Sequence, residues 1–401
     1  MKNSVFLLVF LIGLFAPTSR GATIYYYLPV FYASIMIPIF IFVILKDAKV
    51  PKYNAIIAIL INLILWGATI FTPLTSYSVG NSLFYALFSL LICLNLKDNT
   101  PLSNNKRLIV NVVHVFILTC CLLIMMQNIT IVDFFINNYS LYYDEMMIFA
   151  LAMKKPVVMF AAHSIAGFFL YLMFYMCFTL YKKEGKWLHL VFSLLYVWFI
   201  FNLSSNGGYI FFTVATIQLL YYFLKYKTIK FFWLISIVMI SSLFILDEVI
   251  NFVEPYLSIV SRTLSSDQNG ISGRYSSEGI LSGNIDFIKD NVFMPVGFGN
   301  SPDLFFGDAG IIEYTLRGSI PLVILMYLGL YLFLKRNLYS KYAVMTLSIA
   351  IIIMDIGAQT LISFRTLCIL PFLVIYLNDI HNRNVQKKEK PKKVKRKFII
   401  S

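Results

Sequence analysis

Charge is scarce in this chain. Only 13% of its 401 residues are Asp, Glu, Lys or Arg, against 59% hydrophobic, and the mean hydropathy is +0.79. A soluble domain carries about 25% charged residues, so this composition excludes one. It points to an all-α polytopic membrane protein, a single integral membrane domain over 1–401. Paired cysteines are lacking too. Cys93, Cys120, Cys121, Cys177 and Cys368 all lie in apolar runs and form no Cys-x-x-Cys pair. They read as small core residues rather than disulfides or metal ligands. No His, Asp and Cys cluster has metal-ligand spacing, no nucleotide-binding signature is present, and no internal repeat is visible. The expectation is therefore no metal and no cofactor. Acidic residues are the rarer sign, 19 against 33 basic, giving a net charge of +14. The placement of those basic residues removes nucleic acid as a partner.

What is present is a series of apolar runs. A helix needs about 20 apolar residues to cross lipid. About 12 transmembrane helices are expected: Val5–Ala16, Tyr25–Leu45, Tyr53–Phe71, Ser82–Leu96, Leu108–Met126, Val157–Leu180, Leu188–Leu203, Tyr209–Leu224, Phe231–Leu246, Ile311–Leu334, Tyr342–Ile356 and Leu367–Asn378. The first resembles a signal peptide in its basic start and apolar core. No small-x-small cleavage site follows, so a retained first helix is expected.

Orientation follows from the joints, because Lys and Arg accumulate on the cytoplasmic side. Alternate joints each carry three basic residues: Lys46/Lys49/Lys52, Lys97/Lys106/Arg107, Lys182/Lys183/Lys186, Lys225/Lys227/Lys230 and Lys335/Arg336/Lys341. With Lys2 and a basic tail over 379–401, this side holds 25 of the 33 basic residues and 5 of the 19 acids. The alternation predicts that both termini are cytoplasmic. On the other side only two segments are long, Gln127–Pro156 and Asp247–Gly310. The second is rich in Gly, Ser, Asn and acids. Apolar residues from Val249 to Leu264 recur at helical spacing, which suggests an amphipathic helix kinked near Pro255. A second short helix is expected around Ile280–Lys289, then a tight loop at Pro295–Asp303.

Apart from Asp355, near an outer end, the spans carry no Asp, Glu, Lys or Arg at mid-depth. Ion-coupled transporters usually keep such groups there. The charges instead collect in one layer at the outer interface, which suits a substrate with its lipid in the bilayer and its polar head in that layer. Cations in this layer run against the positive-inside bias: Arg20, Lys154, Lys155, Arg262, Arg274, Lys289, Arg317 and Arg365. Arginine offers phosphate a planar fork of donors, and convergent cations would hold a pyrophosphate and stabilise its departure. The competing reading is local pairing. Arg274 with Glu278 and Glu313 with Arg317 are both i,i+4, and such surface pairs contribute about 0.2–0.5 kcal/mol.

Three stretches carry a resemblance: Leu151–Phe174 (LAMKKPVVMFAAHSIAGFFLYLMF), Ser272–Gly279 (SGRYSSEG) and Pro295–Leu325 (PVGFGNSPDLFFGDAGIIEYTLRGSIPLVIL). In order, spacing and outward location they resemble bacterial O-antigen polymerases of the Wzy type and, more distantly, O-antigen ligases. A departure is Asn206, which stands where the family often has the arginine of a Ser-Arg pair. The resemblance implies a C-type glycosyltransferase-like fold with one large periplasmic loop at 247–310, in the bacterial inner membrane. It implies an enzyme that transfers a growing glycan from undecaprenyl pyrophosphate to a new lipid-linked repeat. Its partners would be the undecaprenyl-pyrophosphate-linked oligosaccharide, the lipid bilayer and a chain-length regulator. Arg274 and Arg317 are then the expected pyrophosphate contacts, helped by Lys154 and Lys155. Asp308 stands where related ligases carry a histidine and is the first candidate base, with His163 the second. Arg365, Glu313, Asp303 and the ring of Tyr275 are candidates for sugar contacts; turn capping and ion pairing compete for the charged ones. His114, mid-span, reads as an interhelical donor. A ligase and a lipid-linked oligosaccharide flippase are the alternatives. Flippases tend to have short loops and two similar halves.

Overall fold

The computed structural model describes residues 2–17, 28–47, 50–72, 76–97, 101–140, 145–160, 163–226, 275–276, 279, 281–291, 294–301, 303–304, 306 and 309–389. These residues form a helical bundle. In chain order the helices are α1 (Lys2–Phe15), α2 (Leu28–Asp47), α3 (Lys52–Phe71), α4 (Val79–Cys93), α5 (Asn104–Met125), α6 (Ile129–Phe135), α7 (Glu145–Ala152), α8 (His163–Glu184), α9 (Trp187–Asn202) and α10 (Asn206–Tyr226). After the gap come α11 (Ser282–Asp290), α12 (Gly310–Asn337), α13 (Lys341–Gly357) and α14 (Phe364–Glu389). Two short strands, β1 (Ser76–Tyr77) and β2 (Gly299–Asn300), pair antiparallel with Ser76 opposite Asn300.

Seven of the described helices are long and apolar enough to cross a membrane: α2, α3, α5, α8, α10, α12 and α14. Three more, α1, α4 and α9, are apolar but shorter. The expected ninth span, Phe231–Leu246, and the expected amphipathic helix over 249–264 lie outside the described residues. The large apolar residues left exposed on α2 and α3, among them Phe42, Leu45, Ile59, Leu63 and Phe71, would be a liability in water. In lipid they are the ordinary outer surface of a bundle.

The sequence pattern explains which helices lie inside. Helices α8 and α14 are apolar on all sides, and 83% and 94% of their spans are buried. A helix without a polar face belongs in a core. Small residues let the central helices approach. A Cβ on Gly167 of α8 would lie 3.0 Å from the Gly208 Cα of α10, and one on Gly207 would lie 3.1 Å from the Ser164 Cβ. Close backbone contact through small residues supplies the dispersion energy that holds helices together in lipid.

Several boundaries differ from the sequence reading. The span expected from Val157 begins at His163. Pro156 and a positive φ of 48° at Val158 break the backbone there, and Val158–Phe160 is a single 3-10 turn. The last helix, expected to end at Asn378, runs on to Glu389 through residues assigned to the tail. Ion pairs carry it: Asp379 accepts from Arg107 and Arg383, and Arg383 also pairs with Glu184. Helix α12 is broken at Gly318–Ser319, where Ser319 has φ 57° and ψ −170°. This is a region normally left to glycine and strained for a serine.

The joints sort to two ends. One end gathers Lys2 with Asp47, Arg107 with Asp379, and the Asn337 and Asn378 side chains that bind neighbouring backbone. This basic end is where the described parts of the basic joints fall. The opposite end carries the described part of 275–306 and is called the insert end below.

Gly167→Leu should separate α8 from α10. The expected outcome is a loss of about 1–3 kcal/mol, read as a lower thermal midpoint of the purified protein in detergent. An unchanged midpoint would show that this contact is dispensable.

Candidate functional site at the insert end

The insert returns to the bundle through Pro295–Asn300, and one arginine organises that return. Arg317 is fully buried. Its Nε pairs with Glu313 one turn earlier. Its Nη1 donates to the carbonyls of Gly297 (2.8 Å) and Gly299 (3.4 Å), and its Nη2 to Asn300 Oδ1 (3.4 Å). The Phe306 ring covers the guanidinium at 4.6 Å. The backbone runs alongside: Val296 N donates to Leu316 O (2.8 Å) and Gly297 N to Arg317 O (3.0 Å). The planar fork thus grips a loop that has left regular structure and needs donors for its carbonyls.

Glycine is required where the loop meets α3. Gly297 has φ +57°, and a Cβ there would sit 2.6 Å from Leu65 O. Phe298 N donates to Thr69 Oγ1 (2.8 Å), and its ring packs among Trp66, Tyr77 and Tyr85. The Gly-Phe-Gly stretch is therefore a plug seated between α3 and α4.

Next to it lies a second buried group. Asp355, near the end of α13, accepts from Thr360 N (2.6 Å), Leu361 N (3.3 Å), Tyr327 Oη (3.0 Å) and Tyr314 Oη (3.3 Å). It fixes the turn between α13 and α14 to both segments of the broken α12. Tyr85 stands against Tyr314 (6.4 Å between rings) and within electrostatic reach of Arg317, Glu313 and Asp355. Its hydroxyl is buried and has no hydrogen-bond partner among the described residues.

Arg365 closes a third joint. Its guanidinium donates to Gly13 O (3.1 Å), Leu14 O (2.6 Å), Ala16 O (3.1 Å) and Met159 O (2.6 Å), while Tyr139 Oη donates to Phe15 O (2.8 Å). Except for Met159 O, which belongs to the 3-10 turn before α8, these are carbonyls at the end of α1 left without helical partners.

The expected site residues divide accordingly. Arg317, Glu313 and Arg365 are buried and bound to protein groups, so in this structure they position loops and helix ends. This revises the expectation that they face the substrate. The i,i+4 pair of Glu313 and Arg317 is present, but inside the protein, where its energetics differ from those of a surface pair. Tyr275 donates to Ile356 O (2.7 Å), which ties the insert to α13. Lys154, at φ 59°, is exposed in the turn after α7. Lys155 is half-buried, and its Nζ reaches Ser204 O at 3.4 Å. Burial holds its ammonium pKa below the usual lysine range. His163 opens α8 and is half-buried. Asp303 is exposed. His114 sits in α5 against Tyr196, Nδ1 to Oη 2.9 Å, as an interhelical contact. Arg274 and Asp308 lie outside the described residues.

The sequence sets Asp355 apart as an acid inside an apolar span, but nothing in it signals the link to Tyr314 and Tyr327. Among the expected residues described at this end, Lys154 and Asp303 are exposed, and Lys155 follows Lys154. No protein-family model, curated protein or solved structure matches the chain.

Arg317→Ala leaves the Glu313 carboxylate buried without its partner and should cost about 3–5 kcal/mol. Adding Glu313→Ala should cost far less than the sum of the two single changes, and Arg317→Lys should not restore stability because it lacks the fork. Thermal unfolding of wild type, both single alanine variants, the double variant and Arg317→Lys checks this; additive losses would contradict the clasp. Tyr85→Phe removes a hydroxyl without a partner and should be neutral or stabilising by up to about 1 kcal/mol, read in the same assay.

Proposed function

We propose that the chain is a polymerase of lipid-linked glycan repeats, acting at the periplasmic face of a bacterial inner membrane. In this reading the bundle crosses the membrane twelve times, the basic end faces the cytoplasm and the insert end faces the periplasm. The observation that carries the proposal is the large polar insert, tied by Arg317 and Tyr275 onto the same end of an apolar bundle that exposes Lys154. Support also comes from the three stretches resembling O-antigen polymerases, and from the lack of mid-depth charges that a coupled transporter would use.

The reaction joins two lipid-linked glycans. An acceptor hydroxyl forms a C–O bond to the anomeric carbon at the lipid end of the donor chain. The bond from that carbon to the pyrophosphate breaks, and its electron pair leaves with the pyrophosphate. The hydroxyl proton passes to a base. Lys154, Lys155 and Arg274 are the proposed cations for the leaving pyrophosphate, because charge develops there in the transition state. Asp308 is the proposed base, with His163 next. Arg317, Glu313, Arg365 and Asp355 are positioning residues that set the loops around this layer.

Purified protein in lipid, given only an undecaprenyl-pyrophosphate-linked repeat, should make a ladder of lengthening chains. Lys154→Ala with Lys155→Ala should slow the ladder about tenfold or more without lowering the thermal midpoint. Transfer to an added acceptor without a ladder would make the protein a ligase. Translocation of the repeat without any transfer would make it a flippase.

A further inference from the structure

At the basic end, helices α8, α10, α13 and α14 enclose a pocket of about 630 Å³. Lys182, Lys183 and His381 line it, together with hydroxyl and ring groups, and no carboxylate among the described residues lines it. The acids nearest in sequence are engaged elsewhere. Glu184 pairs with Lys186 and Arg383, and Asp379 with Arg107 and Arg383. Lys182 instead lies over the rings of Phe178 (4.5 Å), Tyr342 (4.9 Å) and Tyr175 (5.9 Å). Rings attract an ammonium without neutralising it. Neither lysine has an ion-pair partner among the described residues, so the pocket keeps a net positive charge.

Helices α8, α10 and α13 also line an apolar cleft of about 170 Å³. Tyr342 lines both spaces, and Phe211, Met345 and Ile353 line the cleft towards the middle of the bundle. A cationic pocket at the bundle end, beside an apolar cleft that shares Tyr342 with it, has the polarity of a phospholipid lying upright in its leaflet.

We propose that this is a binding site for an anionic phospholipid. The phosphate sits at Lys182, Lys183 and His381, and an acyl chain lies along Phe211, Met345 and Ile353. The charge of the pocket selects an anionic lipid over a zwitterionic one, because a basic cluster beside the membrane gains most from net negative headgroups. The site lies at the opposite end from the proposed chemistry, so it stands or falls independently of the polymerase reading.

The test is lipid retention by the full-length protein in detergent, followed by native mass spectrometry with four probes: phosphatidylglycerol, phosphatidylcholine, a polyprenyl phosphate and inorganic phosphate. Wild type should retain phosphatidylglycerol over phosphatidylcholine. Lys182→Gln with Lys183→Gln should reduce that retention about tenfold or more, since each lysine near an anionic surface contributes roughly a factor of five. Lys52→Gln with Lys106→Gln, which removes the same charge at the same end but outside the pocket, should change it little. Met345→Trp, which fills the cleft from an exposed position and leaves both lysines intact, should also reduce it. Phosphatidylglycerol retention that survives both the double lysine change and Met345→Trp overturns the proposal. So does displacement by inorganic phosphate alone, or retention of polyprenyl phosphate without phosphatidylglycerol.

Discussion

The structure depends on arginine forks that satisfy backbone carbonyls where helices end inside the bundle. A helix leaves its last carbonyls without partners, and apolar surroundings offer no water to replace them. Arg365 closes the end of α1, Arg336 and Asn337 take Leu94 O just past the end of α4, and Arg317 takes the carbonyls of the Gly297–Gly299 loop. Each is a long-range contact that fixes one segment against another far away in sequence. A lysine could offer one point charge at such a place, but not a planar set of donors aimed at several oxygens.

These clasps give the two ends of the bundle different characters. At the insert end the guanidinium groups of Arg317 and Arg365 are turned inward onto backbone carbonyls, whereas Lys154 is exposed and Lys155 half-buried. At the basic end Glu184 and Asp379 engage the arginines Arg107 and Arg383, and Lys182 and Lys183 have no acid partner among the described residues. Scarce acids, 19 in the whole chain, make that imbalance unavoidable.

The broken helix α12 connects the layers. Its first segment carries Glu313, Tyr314 and Arg317, and the strained Ser319 redirects the chain into the long apolar remainder. A Cβ on Gly318 would come within 2.9 Å of Ile64 Cγ2, so the break also seats the chain tightly against α3. Asp355 bridges the break by accepting from Tyr314 before it and Tyr327 after it. Strain at Ser319 persists because the partners on both sides of it fix the backbone.

The sequence by itself determined that this is a helical membrane bundle, because apolar runs of spanning length admit no other satisfied backbone in lipid. It also determined the sorting of basic joints, the short helix near 282–290, and the Glu313–Arg317 pair, each a matter of local spacing. Only the tertiary structure decided where Arg317 and Arg365 bind. Charge and residue type made Arg317 and Arg365 look like phosphate ligands. The burial of Arg317 and the carbonyls brought to Arg365 from α1, more than 340 positions away, make them clasps. Whether an arginine meets a ligand or a carbonyl depends on which distant backbone ends beside it, and no local pattern encodes that. The ends of α8 and α14 were illegible for the same reason. A positive φ at Val158 and the ion pairs of Arg383 are set by neighbours, not by hydropathy.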